Sequence, residues 1–125
     1  MLMTKKILII EDDSYTRDIY EEILKDAQFE VVTAVDGQDG LIKAQAGGYN
    51  LILLDVMMPK MNGLELLEQL KQNPPKSSNG PIILLTNLGH EEIVKDALSK
   101  GAKSYLVKSD LDPSQLVAHV RKFLS

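Results

Sequence analysis

Leu51-Ile52-Leu53-Leu54-Asp55 is a short apolar run that ends on a carboxylate. A run this uniformly apolar suits a parallel strand covered by helices on both faces, where the alternation of wet and dry sides is lost. Working outward, Lys5 to Ile10, Glu30 to Ala34, Ile82 to Leu85 and Ser104 to Val107 are also strand-sized. With Leu51 to Leu54 they make five, and the three that are almost continuously apolar are expected at the centre of a sheet.

Between these runs the apolar residues recur at three- and four-residue spacing, the mark of a helix with one buried stripe. Ile19, Tyr20, Ile23, Leu24 and Ala27 form the first stripe, and Leu41 with Ala44 a weaker second. Leu64, Leu67 and Leu70 form the third, Ile93, Val94, Ala97 and Leu98 the fourth, and Leu116, Val117, Val120 and Leu124 the fifth. Boundary residues agree: Asp13 or Ser14 can cap the first helix, Asp112 before Pro113 can start the last, and Gly101 follows the fourth. The Pro- and Ser-containing stretch from Asn73 to Pro81 reads as a surface connection. Strands alternating with helices imply an open, doubly wound α/β sheet, and such sheets bind ligands outside the carboxyl ends of their strands.

The 125 residues suit one domain spanning 1–125. Hydrophobic residues make up 44% and charged residues 26%, which excludes the composition of a disordered chain. A formal net charge of -4, with no basic cluster, argues against a nucleic-acid partner. The chain has no cysteine, so disulfides and thiolate metal sites are excluded, and a cytoplasmic location is expected. Met-Leu-Met-Thr-Lys-Lys runs straight into Ile7 to Ile10, too brief for a signal core or membrane span, so neither export nor membrane association is expected.

The strand ends hold the chemistry. Glu11, Asp12 and Asp13 follow the first run, Asp55 the third, Thr86 the fourth and Lys108 the fifth. Carboxylates gathered at one edge repel by about 4 kcal/mol per pair at ~4 Å and intermediate dielectric, and a divalent cation relieves this. Oxygen donors without neighbouring His or Cys favour a hard ion such as Mg²⁺, or Mn²⁺, over zinc. A Thr86 hydroxyl and a Lys108 ammonium could bind the other oxygens of a phosphoryl group, with Asp55 as nucleophile. Taken singly, Asp12, Asp13 and Ser14 fit helix capping, Asp55 a turn, Thr86 a cap and Lys108 a solvated lysine. Their joint placement at four strand ends favours a site.

At these residues the sequence resembles the response-regulator receiver family of two-component signalling, in particular its single-domain, chemotaxis-type members. The resemblance runs from Lys5 onward and rests on Ile-Leu-Ile-Ile-Glu-Asp-Asp (7–13), Leu-Leu-Asp-Val-Met-Met-Pro-Lys-Met-Asn-Gly (53–63), Leu-Leu-Thr-Asn (84–87) and Ala-Lys-Ser-Tyr-Leu-Val-Lys (102–108). It implies a flavodoxin-like parallel sheet in the order 2-1-3-4-5. It also implies Asp55 as phosphoacceptor, a metal held by Glu11, Asp12, Asp55 and the Met57 carbonyl, and phosphoryl contacts from Thr86 and Lys108. Thr86 and Tyr105 become switch residues, although Tyr105 equally fits a half-buried strand aromatic. Arg17, five residues after Asp12, sets the register and leaves Asp13 as an extra acid. Gly63 is expected to adopt backbone angles open only to glycine.

The resemblance implies a sensor histidine kinase or phosphotransfer protein as donor and an unidentified protein as target, with output near His90, Lys95, Lys103 and Tyr105. A monomer or weak dimer without an effector domain is expected, acting as a phosphoacceptor rather than an enzyme. Three positions depart from the family pattern. Ser109 stands where proline is usual, which removes the ordinary basis for a cis peptide there. Asn87 stands where a small residue is usual, and Met57 and Leu88 are apolar where many relatives are polar. The last pair predicts slow self-hydrolysis of a phosphoaspartate. Three rivals remain open. An aspartyl phosphatase is disfavoured by Met57 in the place of a second aspartate, and a flavin or nucleotide carrier by the absence of a glycine-rich phosphate loop. A degenerate receiver that ignores phosphorylation is disfavoured by Asp12, Asp55, Thr86 and Lys108.

Overall fold

The structure is a computed structural model that describes residues 4–125; Met1 to Met3, the start of the N-terminal stretch assessed above for a signal, lie outside the described residues. Five strands alternate with five helices: β1 (Lys6–Ile10), α1 (Ser14–Asp26), β2 (Glu30–Ala34), α2 (Gly37–Ala46), β3 (Leu51–Asp55), α3 (Gly63–Gln72), β4 (Ile82–Thr86), α4 (Glu91–Ser99), β5 (Ser104–Val107) and α5 (Pro113–Leu124). A short 3₁₀ turn, Lys108–Asp110, links β5 to α5. The strands lie parallel in the order β2-β1-β3-β4-β5, as expected. The three central strands are the most continuously apolar ones, because only they need helices on both faces along their whole length.

Alternate strand residues feed two separate cores. Leu8, Ile10, Ile52, Leu54 and Leu84 face α2, α3 and α4, where they meet Ala44, Leu66, Leu67, Leu70, Val94 and Ala97. Ile7, Ile9, Leu51, Leu53, Ile83 and Leu85 face α1 and α5, against Tyr20, Leu24, Leu116 and Val120. Each fully buried Leu or Ile contributes roughly 1.5–3 kcal/mol by leaving water, so β1, β3 and β4 are the rigid centre of the molecule. Leu66 joins the α3 stripe although its spacing had not marked it, whereas Leu98 stays 37% exposed on α4.

Helix ends follow local chemistry. Asp13, not Ser14, caps α1 by accepting from the Thr16 N–H at 2.9 Å. Asp112 caps α5 in a reciprocal box with Gln115, with Pro113 in the first turn. Gly101 takes a φ of +118° just beyond α4. Two glycine readings are revised. Gly63 does not adopt a left-handed φ; that conformation falls on Lys60, at +69° in the same loop. Gly63 is small because its backbone lies against β3, where a Cβ would stand 3.0 Å from Val56 Cα. The weak apolar stripe of α2 has a similar origin. Gly40 sits so close to β1 that a Cβ would stand 2.5 Å from Ile10 Cγ2, so α2 packs by backbone proximity rather than by large side chains.

The connection over 73–81 is a surface segment, but a pinned one. Asn79 accepts from the Tyr49 N–H at 3.1 Å and donates to the Ala44 carbonyl at 2.9 Å, and the Gly80 N–H donates to the Tyr49 carbonyl at 2.7 Å. No helix among the described residues is long and apolar enough to cross a membrane.

Candidate functional site

Burying a polar side chain is costly unless something compensates it. Among the described residues, the buried polar side chains are Glu11, Asp55 and Thr86, and all three stand at carboxyl ends of central strands. The register explains how they meet. Ile10 pairs with Leu54 and Asp55 pairs with Leu85, so Glu11 falls level with Asp55 on adjacent strands, and Thr86 stands one residue further along the next strand at the same sheet edge. Thr86 pairs in turn with Val107, which brings Lys108 to the same edge.

One oxygen from each of Glu11, Asp12 and Asp55 lies within 4.8 Å of the other two. Lys108 Nζ sits 2.6 Å from Glu11 Oε1 and 3.2 Å from Asp55 Oδ2. Burial pushes the Glu11 carboxyl above its ordinary value, reinforced by its hydrogen bond with Asp55 and opposed by Lys108. Burial pulls the Lys108 ammonium the other way, yet contact with Glu11 and the charge of Asp55 hold it above its ordinary value. One cation is thus shared by two carboxylates that otherwise repel.

The loop between β1 and α1 is held by its own side chains. Arg17 Nη1 donates to the Glu11 carbonyl at 2.9 Å and to the Asp12 carbonyl at 3.4 Å, while the Asp13 N–H donates to Glu11 Oε2 at 3.2 Å. Asp13 turns away to cap α1, and hydrogen bonds from Thr16 hold its carboxyl below the ordinary value. That leaves Asp12, not Asp13, beside Glu11 and Asp55. In the loop that follows β3 the Met57 N–H donates to Asp55 Oδ1 at 3.2 Å, and Met57 is 44% exposed. Thr86 donates its hydroxyl to the adjacent Asn87 carbonyl at 3.1 Å.

Beyond Thr86 a groove of about 360 Å³ opens between α4 and β5, lined in part by Asn87, Leu88, His90, Lys95 and Tyr105. Tyr105 points outward into it and is 47% exposed, so it is not a core aromatic. Lys103, grouped above with this surface, is exposed just before β5, outside the groove lining. The peptide after Lys108 is trans, as Ser109 implies, and continues into the 3₁₀ turn.

Residues 7–121 match the response regulator receiver domain family. The chain belongs to that family. Curated relatives of this receiver include the chemotaxis protein CheY of Treponema pallidum, 35% identical over 122 residues, covering 95% of this chain and 82% of the relative. A probable transcriptional regulator, ycf27 of Cyanophora paradoxa, is 41% identical over 120 residues, covering 96% of this chain and 48% of the relative. The receiver therefore spans about half the length of several relatives it matches. Among solved structures, a CheY-like receiver domain protein of Methanospirillum hungatei superposes with a TM-score of 0.85 at 31% identity, covering 98% of this chain and 94% of the other. Chemotaxis protein CheY4 of Vibrio cholerae gives 0.83 at 32% identity, with 97% and 99% covered.

Arg17 was legible only as a register mark; its work on the two carbonyls needed the fold. Gly40 and its contact with Ile10, the residue before the acidic pair, carried no sequence signal beyond a weak stripe.

Proposed function

We propose that this receiver takes a phosphoryl group onto Asp55 from the phosphohistidine of a sensor kinase or phosphotransfer protein, and passes the signal on through noncovalent contacts. The observation that carries the reading is the convergence of three buried polar side chains and one shared lysine on a single strand edge. Asp55 is the only one of the three with an acidic neighbour on one side and a hydroxyl on the other. Its carboxylate oxygen forms the new P–O bond as the P–N bond to the donor imidazole breaks.

A hard divalent ion, Mg²⁺ or Mn²⁺, fits the donor set, since Glu11, Asp12 and Asp55 offer only oxygens and Lys108 already occupies the place of a cation between two of them. These carboxylates, with the Met57 carbonyl, would hold it, and it would supply neutralisation of charge on the phosphoryl oxygens. Lys108 then turns from its carboxylates toward the phosphoryl group, and the Thr86 hydroxyl gives up its weak local bond to donate to a phosphoryl oxygen. Displacement of Thr86 reaches α4 and Tyr105 through the groove they share, which makes that face the output surface. The role is that of a phosphoacceptor with slow self-dephosphorylation, because Met57 offers no general base to an attacking water.

The test is incubation with Mg²⁺ and a small acyl phosphate, followed by intact mass. Wild type gains the mass of one phosphoryl group and Asp55→Asn does not. Equal gain in both removes Asp55 as acceptor, and no gain in either removes the function.

A further inference from the structure

Met57 stands apart from the other methionines near the site. Its side chain is 44% exposed, whereas the adjacent Met58 is 7% exposed inside the core. Its own N–H rests on Asp55 Oδ1 at 3.2 Å, so this thioether leaves the backbone beside the acceptor carboxylate. Leu88, 72% exposed on the loop after β4, is a second apolar side chain at the strand ends. A thioether is a poor hydrogen-bond acceptor, and a sulfoxide oxygen is a good one. Oxidation therefore makes this exposed side chain, whose own amide touches Asp55, polar without changing its charge or adding a carbon.

We infer that Met57 is a site of reversible oxidation by hydroperoxides, and that the sulfoxide speeds loss of the phosphoryl group from Asp55. The inference rests on the acceptor role proposed for Asp55. In the modifying step a sulfur lone pair takes one peroxide oxygen: the O–O bond breaks, an S–O bond forms, sulfur is oxidised by two electrons and hydrogen peroxide is reduced to water. Exposure selects Met57, because Met58 is shielded by the α3-side core it helps to form. The new oxygen can then hold a water next to the phosphorylated carboxylate, where the thioether leaves it unoriented. Methionine sulfoxide reductases return the thioether and with it the long-lived state.

The test uses the full chain, treated with hydrogen peroxide under a chelator, desalted, and mapped by peptide fragmentation. It is then phosphorylated with Mg²⁺ and a small acyl phosphate, and the decay of the phosphorylated species is followed. Met57 oxidises ahead of Met58. The oxidised protein loses its phosphoryl group roughly threefold faster, the rate effect of one added hydrogen bond to the attacking water. Sulfoxide reductases restore the slow decay, and Met57→Leu, compared with its own untreated sample, shows no peroxide-induced acceleration. Unchanged decay after Met57 is oxidised, acceleration that persists in Met57→Leu, or oxidation of Met58 first each overturns the inference while leaving Asp55 as acceptor. An untreated chain that takes up no phosphoryl group overturns the acceptor role, and the inference with it.

Discussion

Replacing Lys108 by Met keeps most of the apolar stem and deletes the charge that Glu11 and Asp55 share. The carboxylate oxygens of that pair lie within 4.8 Å of each other. At an effective dielectric of ~20 two unit charges at that separation repel by about 3 kcal/mol, and this is the strain that Lys108→Met uncovers in metal-free protein at neutral pH. The full cost is not realised, because Glu11 can take a proton, and burial already favours its neutral form. A loss of roughly 2 kcal/mol in urea denaturation under chelator is expected. The sign with pH follows from the raised Glu11 value. The protonated form is the one the folded state favours, so the penalty is absent below the ordinary value of 4.5 and grows as pH rises through the folded-state value. Divalent metal narrows the gap. In wild type an ion entering this cluster must displace or tolerate an ammonium; in Lys108→Met it meets bare carboxylates. Its affinity rises about tenfold, which adds about 1.4 kcal/mol to the stabilisation produced by the same Mg²⁺ concentration. Paired urea titrations in chelator and in MgCl₂ read both effects. A Mg²⁺ increment in Lys108→Met equal to or smaller than that in wild type would refute competition between the lysine and a metal for these oxygens.

Gly40→Ala adds helix propensity worth about 1 kcal/mol but drives a Cβ into fully buried Ile10, a net loss of about 1–2 kcal/mol by denaturant midpoint. In an Ile10→Ala background the same change stabilises by up to about 1 kcal/mol, and equal effects in both backgrounds would deny the contact. Met57→Asn places an amide beside Asp55 and shortens the phosphorylated lifetime by roughly threefold or more, measured as decay of the intact phosphorylated mass; an unchanged lifetime counts against the apolar wall. Asp112→Ala removes the α5 cap. The Asp112 carboxyl is held below its ordinary value by the Gln115 N–H and the Ser114 hydroxyl, so its contribution is present above the ordinary value of 3.8 and fades as pH falls through the folded-state value. The stability gap to wild type should close in acid, and a gap independent of pH would assign the effect to something other than the carboxylate.

The parts of the fold that were legible are those decided within a few residues. Ile7 to Ile10 and Leu51 to Leu54 are strands because nothing in them could face water, and Asp112-Pro113 starts a helix by capping its own next turn. The candidate site was legible because each member closes a strand, and strand ends are local even when their neighbours are not. What escaped depends on distant partners. Gly40 reads as a helix breaker until Ile10 is seen beneath it, and Asn79 reads as a turn residue until its amide is found spanning Tyr49 and Ala44. Gly63 was assigned the wrong freedom, since a glycine required for close approach and one required for φ look identical in sequence. Lys103, grouped with His90 and Lys95 on the expected output surface, is exposed but does not line the groove, since membership of a groove is a property of α4 and β5 together.

The two sides of the site differ in rigidity, and that difference bears on how a charge at Asp55 could be felt elsewhere. Glu11 and Asp55 continue strands whose preceding residues, Ile10 and Leu54, are fully buried, and Arg17 ties down the loop that carries Asp12. A new phosphoryl group cannot displace that wall without opening a core. On the other side, among the described residues, Thr86 donates only to its neighbour's carbonyl and His90 Nδ1 is buried without a partner, and Tyr105 lies over an open groove on the edge strand. Little free energy holds these groups in one arrangement, so one or two charge-assisted hydrogen bonds, worth about 1.5–3 kcal/mol each, suffice to choose another. The direction of signalling in the proposed reaction is thereby set by packing: the carboxylate wall stays in place as the fixed support, and the α4 and β5 side is the one that moves.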